Sequence, residues 1–262
     1  MFSFIRKRKF YGIYLQYQNA NKFNGLDLFQ DMLNQITGEA VSVLIVDTSI
    51  KSHSHQADSN LILGDNSKRE FSGYQSGLEY LIQSGKINDH SVVFIANDTF
   101  NVNYAGADFL KFFLHQNTKK EIFKGSLVGY VDRLGEDVEV IGRKGHFWVR
   151  TSFFTIGYKN LVKLLPFGKG FETEEIFTNE DGVFFSNSGL ISENYRNFLK
   201  AWLFKEKNDF QLTESWHSAD NLTKSNFDQF KMKAQCIFSE FIFSQDALKQ
   251  KIKIFDVRSL NN

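Results

Sequence analysis

What would mark this chain as a specialised scaffold is largely missing. It holds one cysteine, Cys236, and one proline, Pro166, in 262 residues. A lone thiol excludes a disulfide-stapled fold and, with no secretory signal in view, points to a reducing, cytoplasmic setting. One proline excludes a proline-rich linker. Neither sign of charge dominates: 31 Lys and Arg stand against 30 Asp and Glu, a net +1, so there is no nucleic-acid signature. No run approaches the roughly 18 consecutive apolar residues of a membrane span. GxxxxGK(S/T), GxGxxG, CxxC and HExxH do not occur, nor does GxSxG in a strand–turn–helix setting. Their joint absence argues against P-loop NTPases, standard dinucleotide enzymes, zincins and α/β-hydrolases.

What is present is a large apolar inventory in a regular order. The chain is 42% hydrophobic with 29 Phe, enough for one large α/β domain. Tyr11–Tyr17 reads as a strand, and Leu26, Phe29, Leu33 and Ile36 recur at helical spacing before Gly38. Val41–Val46 and Val92–Ala96 are apolar runs of strands buried on both faces, and Leu61–Leu63 is a short third. Ser72 stands where a cap would precede a helix bearing Leu78, Leu81 and Ile82, with Gly85 as its stop. This β-α-β-β-α-β order predicts a Rossmann-related, mostly parallel sheet flanked by helices. Further on, Ser126–Val131, Val138–Ile141, Phe147–Arg150 and Phe153–Ile156 read as strands, and Tyr158–Leu165 as a helix. Ser192–Phe204 and Ser225–Gln250 make the C-terminal part helical, with β propensity returning at Lys251–Val257.

Three strands release polar clusters at their carboxyl ends: Asp47, Asp65-Asn66 and Asn97-Asp98. Ligands of open α/β sheets bind outside those ends. Asp and Asn also close strands for turn reasons, so the coincidence of three clusters is the signal. Between them lies GDNSKREFSGYQSGL (Gly64–Leu78). Arg69 and Glu70 precede a helix start there, a setting for a diphosphate, and Gly73 and Gly77 permit close backbone approach. A solvated Arg69–Glu70 pair in an ordinary loop is the plainer alternative. Asp98 is positioned to take Mn²⁺ or Mg²⁺.

VLIVDTS (Val43–Ser49), REFSGYQSGLEYL (Arg69–Leu81), VVFIANDTF (Val92–Phe100) and, more loosely, GHFWVRTSFF (Gly145–Phe154) resemble GT-A glycosyltransferases of bacterial polysaccharide synthesis, the family 2 and rhamnan-synthesis groups. The resemblance covers about residues 10–160. It implies one GT-A-like domain over 1–262, with a nucleotide-sugar half at 10–130 and an acceptor half at 131–262. Asp47 maps to the carboxylate that contacts the base, and Asn97-Asp98-Thr99 to the Asp-x-Asp element, with one carboxylate of the two retained. Donor contacts are thereby expected from Asp47, Asp65, Asn66, Arg69, Glu70, Gly73, Asn97 and Asp98. His217 is expected to join Asp98 on a divalent cation, with His146 second; His53 and His55 fall in a polar loop. An inverting transferase needs a carboxylate base. The run Glu172–Asp181 supplies Glu180 and Asp181, with Glu193 in reserve. Trp148, Arg150 and Trp216 are expected to meet the acceptor, with Phe147 also placed to stack on a sugar ring.

The function expected is transfer of a sugar from a nucleotide-diphosphate sugar to a glycan, or a lipid-linked glycan, of a bacterial surface polysaccharide such as O-antigen or capsule. The alternative is a non-catalytic GT-A-like module that binds a glycan or a partner, which the degraded Asp-x-Asp favours. A nucleotidyltransferase would carry a glycine-rich basic loop after its first strand, and Gln18–Asn24 is not one. Peripheral contact with the inner face of the cytoplasmic membrane is expected from Arg6–Lys9 with Phe2, Phe4 and Ile5, or from the Phe-rich helix Ser225–Gln250. Packing of that Phe stripe inside the fold is the competing expectation.

Overall fold

The computed structural model describes residues 8–17, 25–49, 60–100, 108–167, 174–178, 182–205, 216 and 218–261. Phe2, Phe4, Ile5, Arg6, Lys7, His53, His55, Glu172, Glu180, Asp181 and His217 lie outside the described residues, as does Gln18–Asn24. Strands β1 (Lys9–Gln16), β2 (Ser42–Asp47), β3 (Leu61–Leu63), β4 (Ser91–Asn97), β5 (Leu127–Val140), β6 (Arg143–Gly157) and β7 (Ile254–Asp256) form one sheet in the order β3-β2-β1-β4-β6-β5-β7. Pairs β1–β2, β1–β4, β2–β3 and β5–β7 are parallel, and β6 is antiparallel to β4. The architecture is α/β with a mostly parallel, mixed sheet. The two runs expected at Ser126–Val131 and Val138–Ile141 are one strand, β5, and Phe147–Arg150 and Phe153–Ile156 are likewise one, β6. Polar Asp132–Glu136 obscured the first, because a hairpin strand need not be apolar along its length. Ile141 (φ 48°) and Gly142 (φ 69°) connect β5 and β6 as a left-handed pair. That backbone matches the twist of a two-residue hairpin.

Helices α1 (Gly25–Thr37) and α2 (Glu70–Gln83) cover opposite faces of the sheet. Gly12 meets Phe29 and Leu33 of α1, whereas Gly73 and Gly77 of α2 meet Leu15 and Ile13. Alternation along β1 explains this, since Gly12 and Ile13 point to opposite faces. Gly38 (φ 75°) stops α1 as expected, its N–H bonded to Asn34 O at 2.9 Å. The α2 start differs from expectation. The helix opens at Glu70 with Arg69 as N-cap, and Ser72 lies inside the first turn. Its hydroxyl ties the preceding loop instead, accepting Lys68 N–H at 3.1 Å and meeting Asp65 O at 2.8 Å. Helices α3 (Asp108–Leu114) and α4 (Gln116–Lys124) had no counterpart in the sequence reading. Helix α5 (Tyr158–Leu161) continues into a 3-10 turn at Val162–Leu164. Helices α6 (Glu193–Leu203) and α7 (Phe227–Lys249) complete the set among the described residues, and none of these helices is long and apolar enough to cross a membrane.

The chain forms two compact units. The first comprises 1–132, 149–168 and 246–262, and the second 133–148 and 169–245. In the first, Phe10, Tyr14, Phe29, Phe94, Phe100, Phe113 and Phe153 build a core on the α1 face. In the second, Phe184, Tyr195, Phe238 and Phe241 do so with α6 and α7. Phe230, Phe238, Phe241 and Phe243 are buried, so the Phe stripe of α7 packs inside the fold and offers no membrane face.

Glu121 fastens the first unit from within. Its carboxylate is 7% exposed and receives Lys124 Nζ at 2.8 Å, Lys253 Nζ at 3.0 Å and the Ser126 hydroxyl at 2.8 Å. Burial alone would raise its pKa; these three partners outweigh it and hold the group down at about 2. A depressed carboxylate stabilises above its unfolded pKa and loses that contribution as pH falls through the folded one. Glu121→Gln should therefore cost about 2 kcal/mol at neutral pH, a figure kept low because the lysines are 52% and 60% exposed. The difference from the parent in urea melts should shrink between roughly pH 4.5 and 2. A pH-independent difference would assign the loss to packing.

Candidate functional site

The strand order turns back between β1 and β4: successive strands add on one side of β1 through β3, and β4 then adds on the other. This is the topological switch point, where the carboxyl ends of an α/β sheet receive ligands. The register brings the expected residues to it. Gln16 of β1 pairs with Asp47 of β2, and Leu15 pairs with Asn97 of β4. Asp47, Gln16 and Asp98 thus fall in one row across three neighbouring strands and share the α1 face. Asn97 points with Leu15 to the α2 face.

Asp98 is 5% exposed. Its N–H donates to Leu15 O at 3.0 Å, and its Oδ2 accepts the Tyr17 N–H at 2.9 Å. The carboxylate therefore joins the ends of β1 and β4. Burial raises its pKa, the backbone N–H donors lower it, and Asp47 raises it again; the net shift is upward. The same burial, together with the Asp98 charge, pushes the Tyr14 hydroxyl well above its ordinary range. Asp47, also 5% exposed, is held rigid. Oδ1 accepts the Ser49 N–H at 2.7 Å and its hydroxyl at 2.6 Å, while Gln16 reaches Oδ2 at 3.4 Å. Asn97 turns its Oδ1 onto Thr99, taking N–H and hydroxyl at 3.2 and 2.8 Å.

Asp65 and Asn66 are exposed at the same edge after β3, three strands from β4, roughly 14 Å in sheet spacing. Asp65 bonds Ser67 through N–H and hydroxyl, shaping the loop. Arg69 is half-buried with φ 56° and ψ −139°, and Glu70 follows in the first turn of α2. Arg150 lies three residues before Phe153, the partner of Ala96, so it reaches this edge from β6. Its Nε meets Asp132 Oδ2 at 2.5 Å, and Arg258 stands 3.8 Å from the other oxygen.

Two expectations are corrected. Gly73 does not offer its backbone to a ligand: a Cβ there would lie 2.4 Å from Leu15 Cδ1, so the residue faces the sheet. Trp148 is buried in the second unit against Phe198, which removes it as a stacking platform. Trp216 is half-buried, stacked on Trp202 at 6.3 Å, with Lys233 Nζ 5.5 and 5.9 Å from the two rings. Glu193 is exposed at the start of α6. His146 bonds Asp137 at 3.0 Å. Trp148, Trp216, Glu193 and His146 belong to the second unit, whereas the residues expected to contact a donor belong to the first. Gln16, Tyr17, Tyr14 and Ser49 were not expected at the site; the β1 register identifies Gln16 and Tyr14, and bonds to Asp98 and Asp47 bring in Tyr17 and Ser49.

Among the described residues, no three His, Cys, Asp or Glu side chains gather as a metal site. Asp47 Oδ1, Asn97 Oδ1 and Asp98 Oδ2 are engaged internally, so Asp98 offers a cation one oxygen at most. One carboxylate fits Mg²⁺ or Mn²⁺ arriving with a diphosphate, which supplies the other oxygens, better than an ion held by protein alone. Compared with known proteins, the chain matches no family model, and no curated protein or solved structure matches it.

Proposed function

We propose that the carboxyl edge between β1 and β4 binds a nucleotide-diphosphate sugar and that the chain is a cytoplasmic glycosyltransferase acting on a surface-glycan acceptor. The observation that carries this reading is the row Asp47–Gln16–Asp98: two buried carboxylates on one face at the switch point, one rigidly held, the other kept at a raised pKa. A carboxylate perturbed by burial and by a second charge at such a place is a functional-site candidate. Asp47 accepts donor groups of the base or ribose through Oδ2, whose bond to Gln16 is long at 3.4 Å, and Arg69 faces the diphosphate. A divalent cation, if bound, would be held on this edge by Asp98 and would supply charge neutralisation for a leaving diphosphate. An acceptor hydroxyl would need a carboxylate base, the part that the sequence pattern assigns to Glu180, Asp181 or Glu193. Calorimetric titration with nucleoside diphosphates, followed by a donor-hydrolysis assay with and without Mn²⁺, tests the reading. Absence of binding to any nucleotide rejects it.

The Asn97–Thr99 turn favours one rival reading, a glycan- or partner-binding module, because the first position of the Asp-x-Asp element is spent on its own turn. Glycan binding without nucleotide binding would select it.

Arg69 gives a sharper test. A left-handed φ is costly for any side chain except glycine's. Arg69→Gly should therefore hold or raise the melting temperature while weakening nucleotide diphosphate binding at least about fivefold, the loss of one charge-assisted contact. Unchanged affinity would return Arg69 to the role of a loop residue.

A further inference from the structure

We propose that the opposite, amino edge of the first unit's sheet is a docking surface for an anionic phospholipid bilayer. The inference is independent of the transferase reading, because it uses none of the carboxyl-edge residues.

Strand register assembles this edge. Lys9 pairs with Ser91, Val92 with Gly157, and Leu127 with Ile254, while Gly157 N–H bonds Gly125 O at 3.1 Å. The starts of β1, β4, β5 and β7 and the end of β6 therefore stand in one row. From β1 to β7 the row is four strand spacings wide, roughly 20 Å. Basic residues enter it from three separate stretches of chain. Arg8 and Lys9 open β1, Lys124 closes α4, and Lys249, Lys251 and Lys253 lead into β7. Glu121 is buried and already satisfied by Lys124 and Lys253. Asp246 lies one turn further up α7, and Glu39 and Asp89 precede β2 and β4. Positive charge is thus in excess here, although the whole chain is only +1.

Two large apolar side chains project among these bases: Phe123, 40% exposed, and Leu248, 43% exposed. Phe123 packs edge-on against Phe10 at 5.4 Å, which fixes it beside β1. A bilayer interface takes both features, lysines at the headgroups and apolar tips below them. Contacts to a nucleic-acid backbone need only the lysines, whereas a bilayer takes Phe123 and Leu248 as well. Helix capping explains Lys124 and Lys249, each in the last turn of its helix. It does not explain Lys251. That residue follows α7 with φ 56°, its N–H on Leu248 O and the next N–H on Ala247 O, a position that suits glycine. A lysine there adds an exposed basic side chain at a backbone position that favours glycine.

The test is co-sedimentation of the full chain with phosphatidylcholine vesicles, with and without about one third phosphatidylglycerol. The parent should pellet only with anionic vesicles and be released by roughly 0.5 M salt. Lys249→Glu with Lys251→Gly should weaken binding at least about tenfold, given roughly fivefold per basic residue. Lys251→Gly alone should also melt at a higher temperature, which separates docking from a structural role. Lys144→Glu with Lys205→Glu, a larger charge change in the second unit, should leave vesicle binding in place. A parent that stays in solution with anionic vesicles, equal loss in both double variants, or binding to duplex DNA without binding to vesicles would overturn the proposal.

Discussion

Asp98→Asn should abolish sugar transfer and at the same time stabilise the apoprotein at neutral pH. The first half follows from the proposed role: an amide cannot neutralise a cation on a leaving diphosphate, and losses of about a hundredfold or more accompany removal of such a group. The second half follows from the geometry. The carboxylate is buried, bonded to Tyr17 N–H, and close enough to Asp47 for their charges to repel. Its pKa is raised, so between the unfolded and folded values the native state binds more protons than the unfolded one, and stability falls as pH rises through that window. Above the folded value the whole cost is present. Asparagine removes the charge and keeps an oxygen for Tyr17 N–H. A gain of a few degrees, the scale of about 1 kcal/mol in a chain this size, is expected. It should vanish in acid, where Asp98 is protonated in both states.

Asp98→Ala separates the two parts. It removes charge and acceptor together, so Tyr17 N–H loses its partner and about 1–2 kcal/mol is lost. A strand-end carboxylate read from sequence alone carries no such structural share; here it closes the junction of β1 and β4. Thermal melts of both variants at pH 7 and near pH 3, with single-turnover assays, provide the check. If Asn destabilises as much as Ala, Asp98 is a strand clasp rather than a stored charge. If Asn transfers sugar normally, the donor site lies elsewhere.

How much of this was legible in sequence depends on what each feature needed. The first four strands and α1 were, because apolar runs such as Val43–Val46 and the Leu26–Ile36 stripe carry their own period and end at Gly38, Asp47 and Asn97. The acidic carboxyl edge was too, since strand direction follows from β-α-β order. What stayed hidden required register or tertiary context. Nothing in Tyr14–Tyr17 announces that Gln16 will face Asp47, or that a backbone N–H will meet Asp98. Long β5 and β6 were read as fragments because polar residues interrupt their apolar runs, within Asp132–Glu136 in β5 and at the buried Thr151 and Ser152 in β6. Trp148 reads as a sugar platform in sequence, where an indole's exposure cannot be seen, and is buried in the fold.

Gly77→Val should be among the most destabilising substitutions in the first unit, and it should leave nucleotide affinity of the folded fraction unchanged. Gly73 and Gly77 lie four residues apart, on one face of α2. Glycine inside a helix costs roughly 0.5–1 kcal/mol relative to alanine, so both positions need a reason. The reason is close approach to the sheet. A Cβ at 77 would lie 2.8 Å from Ile13 Cγ2 and 2.9 Å from Val46 Cγ2, and one at 73 would lie 2.4 Å from Leu15 Cδ1. The two sites differ in how far their neighbours can yield. Leu15 can rotate its terminal methyls, whereas Ile13 and Val46 are β-branched, central in the sheet and stiff at χ1. Gly73→Ala should thus cost about 1 kcal/mol, and Gly77→Val about 3 kcal/mol or more, lowering the melting temperature by roughly 6 °C or more. Gly77→Ala, with the same contacts and fewer atoms, should fall between and remain folded for calorimetry. Were Gly73 instead a donor contact, Gly73→Ala would melt like the parent and bind nucleotide more weakly, the reverse of the result expected from packing against Leu15.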